Sequence, residues 1–165
     1  MATITFKGNP IETVGDVPGV GAQAPAFTLV GTDLQEKSLS DFAGKKKILT
    51  INPSIDTGVC QAAARKFAEK AGSRDDTVVL FVSADLPFAQ KRFCAAEGIE
   101  TVHPLSTFRS SFAKDYGVEM QGGPLQGLTA RAVVVLDEND QVVYSTFIDE
   151  VTEEPDYDAA LAALG

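Results

Sequence analysis

At Pro53 the sequence changes period. Lys47-Ile48-Leu49-Thr50-Ile51-Asn52 is a largely apolar, β-branched run, and it stops at a proline, which has no N–H to give a strand ladder. From Cys60 the small and apolar residues Cys60, Ala63, Ala64, Phe67, Ala68 and Ala71 recur at helical spacing and end at Gly72, with Gln61, Arg65 and Lys66 on the other face. Thr77 to Ser83 then returns to a nearly continuous apolar run, the pattern of a strand covered on both faces. Strand, helix and strand in this order point to a sheet layered with helices.

The flanking segments extend that picture. Thr3–Phe6 and Ile11–Val14 flank the turn cluster Lys7-Gly8-Asn9-Pro10 and predict a β-hairpin, and Phe27–Val30 predicts a short strand. Asp85 is placed to cap a second helix with Pro87 in its first turn, and that helix carries Cys94. Beyond it the pattern predicts a strand around Thr101-Val102 and a short helix from about Arg109 to Tyr116. A hairpin of Thr129–Leu136 and Val142–Ile148 follows, then an Ala/Leu-rich helix from about Asp156. The expected fold class is α/β, a mixed central sheet flanked by helices on both faces. With no repeat, low-complexity tract or linker, residues 1–165 read as a single domain.

Composition narrows the function. The formal net charge is −9 and the longest basic cluster is Lys45-Lys46-Lys47, which argues against nucleic acid or an anionic membrane surface as partner, since both need a concentrated positive field. The longest apolar runs, Val78–Val82 and Ala132–Leu136, fall far short of the ~20 residues of a membrane helix. The first eight residues carry no basic and apolar secretory pattern, so a cytoplasmic location is expected. A chain of 165 residues buries roughly 70% of its unfolded surface and needs no staples. In a reducing compartment its two cysteines are then better suited to chemistry than to scaffolding.

Pro53-Ser54-Ile55-Asp56-Thr57-Gly58-Val59-Cys60 runs from a buried strand into a helix at the carboxyl end of the sheet, where open α/β sheets bind ligands. With Thr57 or Asp56 as the cap, Cys60 falls in the first helical turn, where unpaired N–H groups favour an anion and hence a thiolate nucleophile. By position alone, Cys60 is equally well a small buried residue on the stripe of Ala64, Phe67 and Ala71.

The segment also resembles a known family. Pro53, Thr57 and Cys60 match the Pro-x-x-x-Thr-x-x-Cys signature of peroxiredoxins, and the full string resembles the bacterial thiol peroxidase branch, of the atypical two-cysteine kind. The resemblance continues through Phe6–Pro10, Ser83–Gln90, Arg92-Phe93-Cys94, Leu105–Arg109, Ala130–Val135 and Glu154–Tyr157, almost the whole chain. It implies a thioredoxin-like fold with an N-terminal β-hairpin and a peroxidase that needs neither haem nor metal. Position 58 is Gly where peroxiredoxins often carry Pro, which loosens the turn without touching the reacting atoms.

Carried onto this chain, the resemblance implies that Cys60 is the peroxidatic cysteine, Thr57 the hydroxyl that orients peroxide and thiolate, Pro53 a shield over the sulfur and Arg131 the active-site arginine. Attack of sulfur on an O–O bond does require a thiolate, a donor to the developing oxyanion and in-line placement. Arg131 interrupts an apolar run, so it is expected to face a polar partner or pocket, the alternative being an edge position turned to water. Cys94 belongs to no Cys-x-x-Cys pair and lies at the edge of the stripe of Leu86, Ala89, Phe93 and Ala96. The resemblance makes it the resolving partner that forms a disulfide with Cys60; otherwise it is an inert half-buried cysteine.

His103, the only histidine, precedes Pro104 on what reads as a loop or strand end and is expected to be solvated rather than a base for Cys60. No phosphate loop or metal-ligand spacing is present. The expected function is a peroxidase acting on hydrogen peroxide and alkyl hydroperoxides, recycled by thioredoxin, as a homodimer and with no cofactor. The alternative is a redox sensor or binding module that uses the same disulfide as a switch.

Overall fold

In a computed structural model that describes residues 1–165, the expected alternation is realised as nine strands and four α-helices. In chain order these are β1 (Thr3–Phe6), β2 (Asn9–Glu12), β3 (Leu29–Gly31), β4 (Glu36–Lys37), β5 (Lys46–Ile51), α1 (Gly58–Ala71), β6 (Thr77–Ser83), α2 (Pro87–Glu97), β7 (Val102–Ser106), α3 (Phe112–Asp115), β8 (Ala132–Leu136), β9 (Val142–Phe147) and α4 (Tyr157–Ala162). Seven strands form one mixed sheet in the order β4-β3-β7-β6-β5-β8-β9. β5, β6 and β7 are parallel, with Ile51 opposite Val82 and Ser83 opposite Ser106, whereas β8 runs antiparallel to β5 with Ala132 opposite Ile51.

Both faces of the central strands are covered, which is why they read as continuous apolar runs rather than alternating ones. Leu49, Ile51, Leu80, Val82, Val134 and Leu136 face one core, closed by Phe27, Phe42, Phe112 and Tyr116. Ile48, Val79, Phe81, Val133 and Val135 face the other, beneath Ala63, Ala64 and Phe67 of α1, Phe93 of α2 and Tyr157 of α4. Even Lys47, at the front of β5, is fully buried, and its ammonium meets Asp140 at 2.5 Å. No helix is long and apolar enough to cross a membrane.

Several boundaries differ from expectation, each for a physical reason. The N-terminal hairpin turns on Lys7 and Gly8 alone, both at positive φ (51° and 82°), as a two-residue turn matched to strand twist demands. Phe6 therefore pairs with Asn9, and Pro10 lies inside β2, tolerated because β2 is an edge. The strand expected near Thr101-Val102 runs on to Ser106 and includes His103 and Pro104; β3 reaches only Leu105 and Ser106, so β7 is an edge beside the proline. The helix expected over 109–116 shrinks to one turn because Arg109 takes a left-handed conformation (φ 54°). β4 and a 3-10 turn at Leu39–Phe42 were not expected, being too short to show a period.

The hairpin is pinned by Glu150, on the segment that follows β9. One carboxylate oxygen accepts from the Thr5 hydroxyl (3.0 Å) and the Gly8 N–H (2.8 Å), the other from the Thr152 N–H (2.9 Å) and hydroxyl (2.7 Å). These bonds to the ionised form, the Thr152 N–H first among them, hold the carboxyl down to about 2. A depressed carboxylate stabilises the folded form above its ordinary value of about 4.3 and loses that contribution as pH falls toward the folded value. Acidification through this window is therefore expected to raise hydrogen exchange at Thr5, Gly8 and Val151 ahead of the central strands, and Glu150→Gln should remove that pH dependence.

Candidate active site

The site is assembled where β5 ends. Asn52 to Asp56 carries the chain off the carboxyl edge of the sheet, and Thr57, in an extended conformation (φ −98°, ψ 146°), caps α1: its Oγ1 accepts from the Cys60 N–H at 3.2 Å. Thr57, not Asp56, is thus the cap. Cys60 sits in the first turn of α1 and has no exposed surface.

Arg131 immediately precedes β8, and the pairing of Ala132 with Ile51 sets it beside the end of β5. It is 2% exposed, and its partners explain how a buried cation is tolerated. Nη1 donates to the Cys60 sulfur at 3.3 Å and to Asn52 Oδ1 at 2.6 Å, and Nε donates to the Val151 carbonyl at 2.9 Å. Asn52 is itself fixed, its amide donating to the carbonyl and hydroxyl of Thr50 and its carbonyl accepting from the Thr129 hydroxyl at 2.6 Å. The guanidinium is thus a charged donor aimed at the sulfur.

A cavity of about 320 Å³ lies over this cluster, with Pro53, Thr57 and Arg131 in its wall and Phe6, Leu125 and Val151 as its apolar sides. Pro53, Thr57, Cys60 and Arg131, expected together from sequence, are therefore brought together. Cys94 is not among them. It lies near the end of α2, half-buried against the α1 side of the core, where burial pushes its thiol above the ordinary range.

Both cysteines are free thiols. Because β5, β6 and β7 are parallel, α1 and α2 run side by side in one direction. Arg65 of α1 packs on Phe93 and pairs with Glu97 of α2 at 2.8 Å, which levels the two helices around Cys94. Cys60, five residues before Arg65, is then displaced from Cys94 by about 7 Å along the axes at ~1.5 Å per residue, in addition to the ~8–10 Å between packed axes.

Two further residues shape the site: Asn52, not singled out from sequence, and Asp85, expected from sequence only as a helix cap. Asn52 joins strand end to arginine; its signal was a polar residue ending a buried strand directly before Pro53. Asp85 does not cap α2: the cap position is Leu86, with no side-chain bond, and Pro87 opens the helix as expected. The Asp85 carboxylate instead accepts from the nearby Ser83 hydroxyl (2.6 Å) and from the Ser54 hydroxyl (2.7 Å) and Ile55 N–H (2.6 Å), the last two long-range partners that no local rule identifies. His103 points elsewhere: it lies exposed on β7, packed edge-on against Phe42 at 5.2 Å, and partial desolvation lowers its pKa. No three His, Cys, Asp or Glu side chains converge as a metal site would require.

A mixed sheet whose parallel crossover presents a buried, arginine-bonded cysteine at a helix N-terminus defines a thiol-based redox protein of thioredoxin-like fold. The redoxin family model matches residues 19–161. A thiol peroxidase of Corynebacterium glutamicum is 54% identical over 164 residues, 99% of each chain, and one of Mycobacterium bovis is 54% identical over 165 residues, 100% of this chain and 99% of that one. The crystal structure of a peroxiredoxin-like protein from Aquifex aeolicus superposes with a TM-score of 0.91 at 39% identity, covering 98% of this chain and 95% of the other. The chain belongs to the redoxin family, in its thiol peroxidase branch, and is a peroxiredoxin-type peroxidase with the thioredoxin-like fold and N-terminal hairpin expected from its sequence.

Proposed function

We propose that this enzyme reduces hydrogen peroxide and alkyl hydroperoxides by a two-cysteine cycle. The Cys60 thiolate attacks the terminal peroxide oxygen, forming an S–O bond as the O–O bond breaks, and the departing oxygen takes a proton and leaves as water or alcohol. The Cys94 thiol then attacks the resulting sulfenic acid, expelling water and forming the Cys60–Cys94 disulfide, and thioredoxin returns both cysteines to thiols. Thr57 orients peroxide and thiolate, Pro53 shields the sulfur, and Arg131 stabilises both the thiolate and the charge developing on oxygen.

The observation that carries this reading is the 3.3 Å bond to the buried Cys60 sulfur from Arg131, which also lines a cavity whose apolar sides suit an alkyl tail. A single-domain, cytoplasmic homodimer with no cofactor completes it. The test is a coupled assay. Peroxide-dependent oxidation of NADPH in the presence of thioredoxin and its reductase is expected, and a single stoichiometric oxidation without recycling would favour the sensor alternative.

Arg131→Met is expected to lower the peroxide rate about 10²- to 10³-fold in protein that still unfolds cooperatively, the usual cost of losing one transition-state donor. Arg131→Lys should also be impaired, because a point charge cannot serve sulfur, Asn52 and Val151 in one plane. Stopped-flow consumption of peroxide by the reduced variants measures both.

A further inference from the structure

We propose that Asp85 is a positioning residue that latches the Cys60 loop in its peroxide-reactive form and ties that latch to the helix bearing Cys94. This rests on the two-cysteine reading above. The carboxylate gathers donors from both sides: the Ser54 hydroxyl and Ile55 N–H of the loop that leads to Cys60, and the Ser83 hydroxyl at the end of β6. Ser83 in turn accepts from the Gln90 side-chain amide at 3.0 Å, and the same amide donates to the Leu105 carbonyl at 3.2 Å. Gln90 is fully buried and lies one helical turn before Cys94. The Asp85 carbonyl accepts from the Ser106 hydroxyl, which fixes the junction between β6 and α2 to β7. An unbroken chain of hydrogen bonds thus runs from the loop to α2, with the carboxylate as its final acceptor.

Cys60 and Cys94 are held apart by folded helices, so their disulfide requires both to unwind, and the chain opposes both motions at once. Bonds to an ionised carboxylate in a half-buried setting are the strongest in such a network. At the far end, the Gln90 Oε1 is buried with no partner. That deficit is relieved when α2 opens and water reaches it, so α2 is restrained from one side of the amide and biased toward release from the other.

The two chemical steps should therefore respond in opposite directions. Asp85→Ala is expected to slow sulfenic acid formation, by up to roughly 10²-fold as loop misplacement allows, and to speed disulfide formation about tenfold. Over-oxidation of Cys60 at high peroxide should fall accordingly. Asp85→Asn, which can keep an oxygen toward Ile55 and Ser83 and turn its amide to Ser54, should recover most of the wild-type balance. Gln90→Leu, remote from the cavity, should leave the peroxide step within about twofold and still speed the disulfide step.

Rapid-quench kinetics with mass-spectrometric counting of sulfenic, sulfinic and disulfide forms reads each step, alongside thermal unfolding. Should Asp85→Ala fail to fold, Asp85→Asn and Gln90→Leu decide between the outcomes. Wild-type partitioning in Gln90→Leu, or slowing of both steps together in Asp85→Ala with no recovery in Asp85→Asn, would overturn the latch. A wild-type protein that forms no Cys60–Cys94 disulfide would overturn the two-cysteine reading itself.

Discussion

Cys60→Ser is expected to consume no peroxide. Sulfur at this position has an arginine donor at 3.3 Å and lies in the first turn of α1, where the Thr57 cap holds the Cys60 N–H. A hydroxyl in the same place stays protonated at neutral pH and provides no nucleophile, whatever the surroundings contribute. The substitution is small and leaves Arg131 bonded to Asn52 and Val151, so the fold should persist and the loss should be confined to chemistry. Turnover in the coupled assay above the background of the reagents would reassign the nucleophile.

Cys94→Ser should separate the first step from the rest. The variant should consume one equivalent of peroxide at the wild-type rate, then stall as a sulfenic acid, pass to the sulfinic form with excess peroxide, and lose support by thioredoxin. The axial offset between the two cysteines adds a structural expectation. A disulfide needs Cα atoms about 4.4–6.8 Å apart, so in the wild type the first turn of α1 and the last turns of α2 must unwind and the Arg65–Glu97 pair must break. Oxidation should therefore raise hydrogen exchange around Thr57–Ala63 and Phe88–Ala96 and leave β5 and β6 protected; in Cys94→Ser the same peroxide treatment should leave exchange there unchanged. Full thioredoxin-supported turnover in this variant would leave a one-cysteine mechanism.

The parts of the fold legible in the sequence are those governed by local repetition. The runs of β5, β6 and β8 and the stripe of α1 announce themselves because burial on both faces, or on one helical face, imposes a period on adjacent residues. Thr57 is legible as a cap for the same reason, since its partner is three residues away. What escapes is set by contacts between distant segments. Asp85 obeys the local rule for a helix cap and yet spends its carboxylate on the half-buried Ser54 hydroxyl and Ile55 N–H of a loop thirty residues earlier. Nothing local to Lys47, at the start of β5, says that it is buried; Asp140 on the far hairpin draws it inside. Arg131 was placed by resemblance to a family; spacing alone could not say that the register of β8 against β5 brings it to Cys60.

That register has a consequence for repeated use of the site. Each cycle of the proposed chemistry withdraws the sulfur from beside Arg131, and an arginine left buried with no acceptor would pull the surrounding loops inward or drag water after it. Here Asn52 and the Val151 carbonyl bond the guanidinium independently of the sulfur, and both belong to segments outside the helix that carries Cys60. The socket keeps its shape while the plug is out, so a reduced Cys60 returns to a finished arginine pocket, and reactivation needs only the unwound turns of α1 and α2 to wind again.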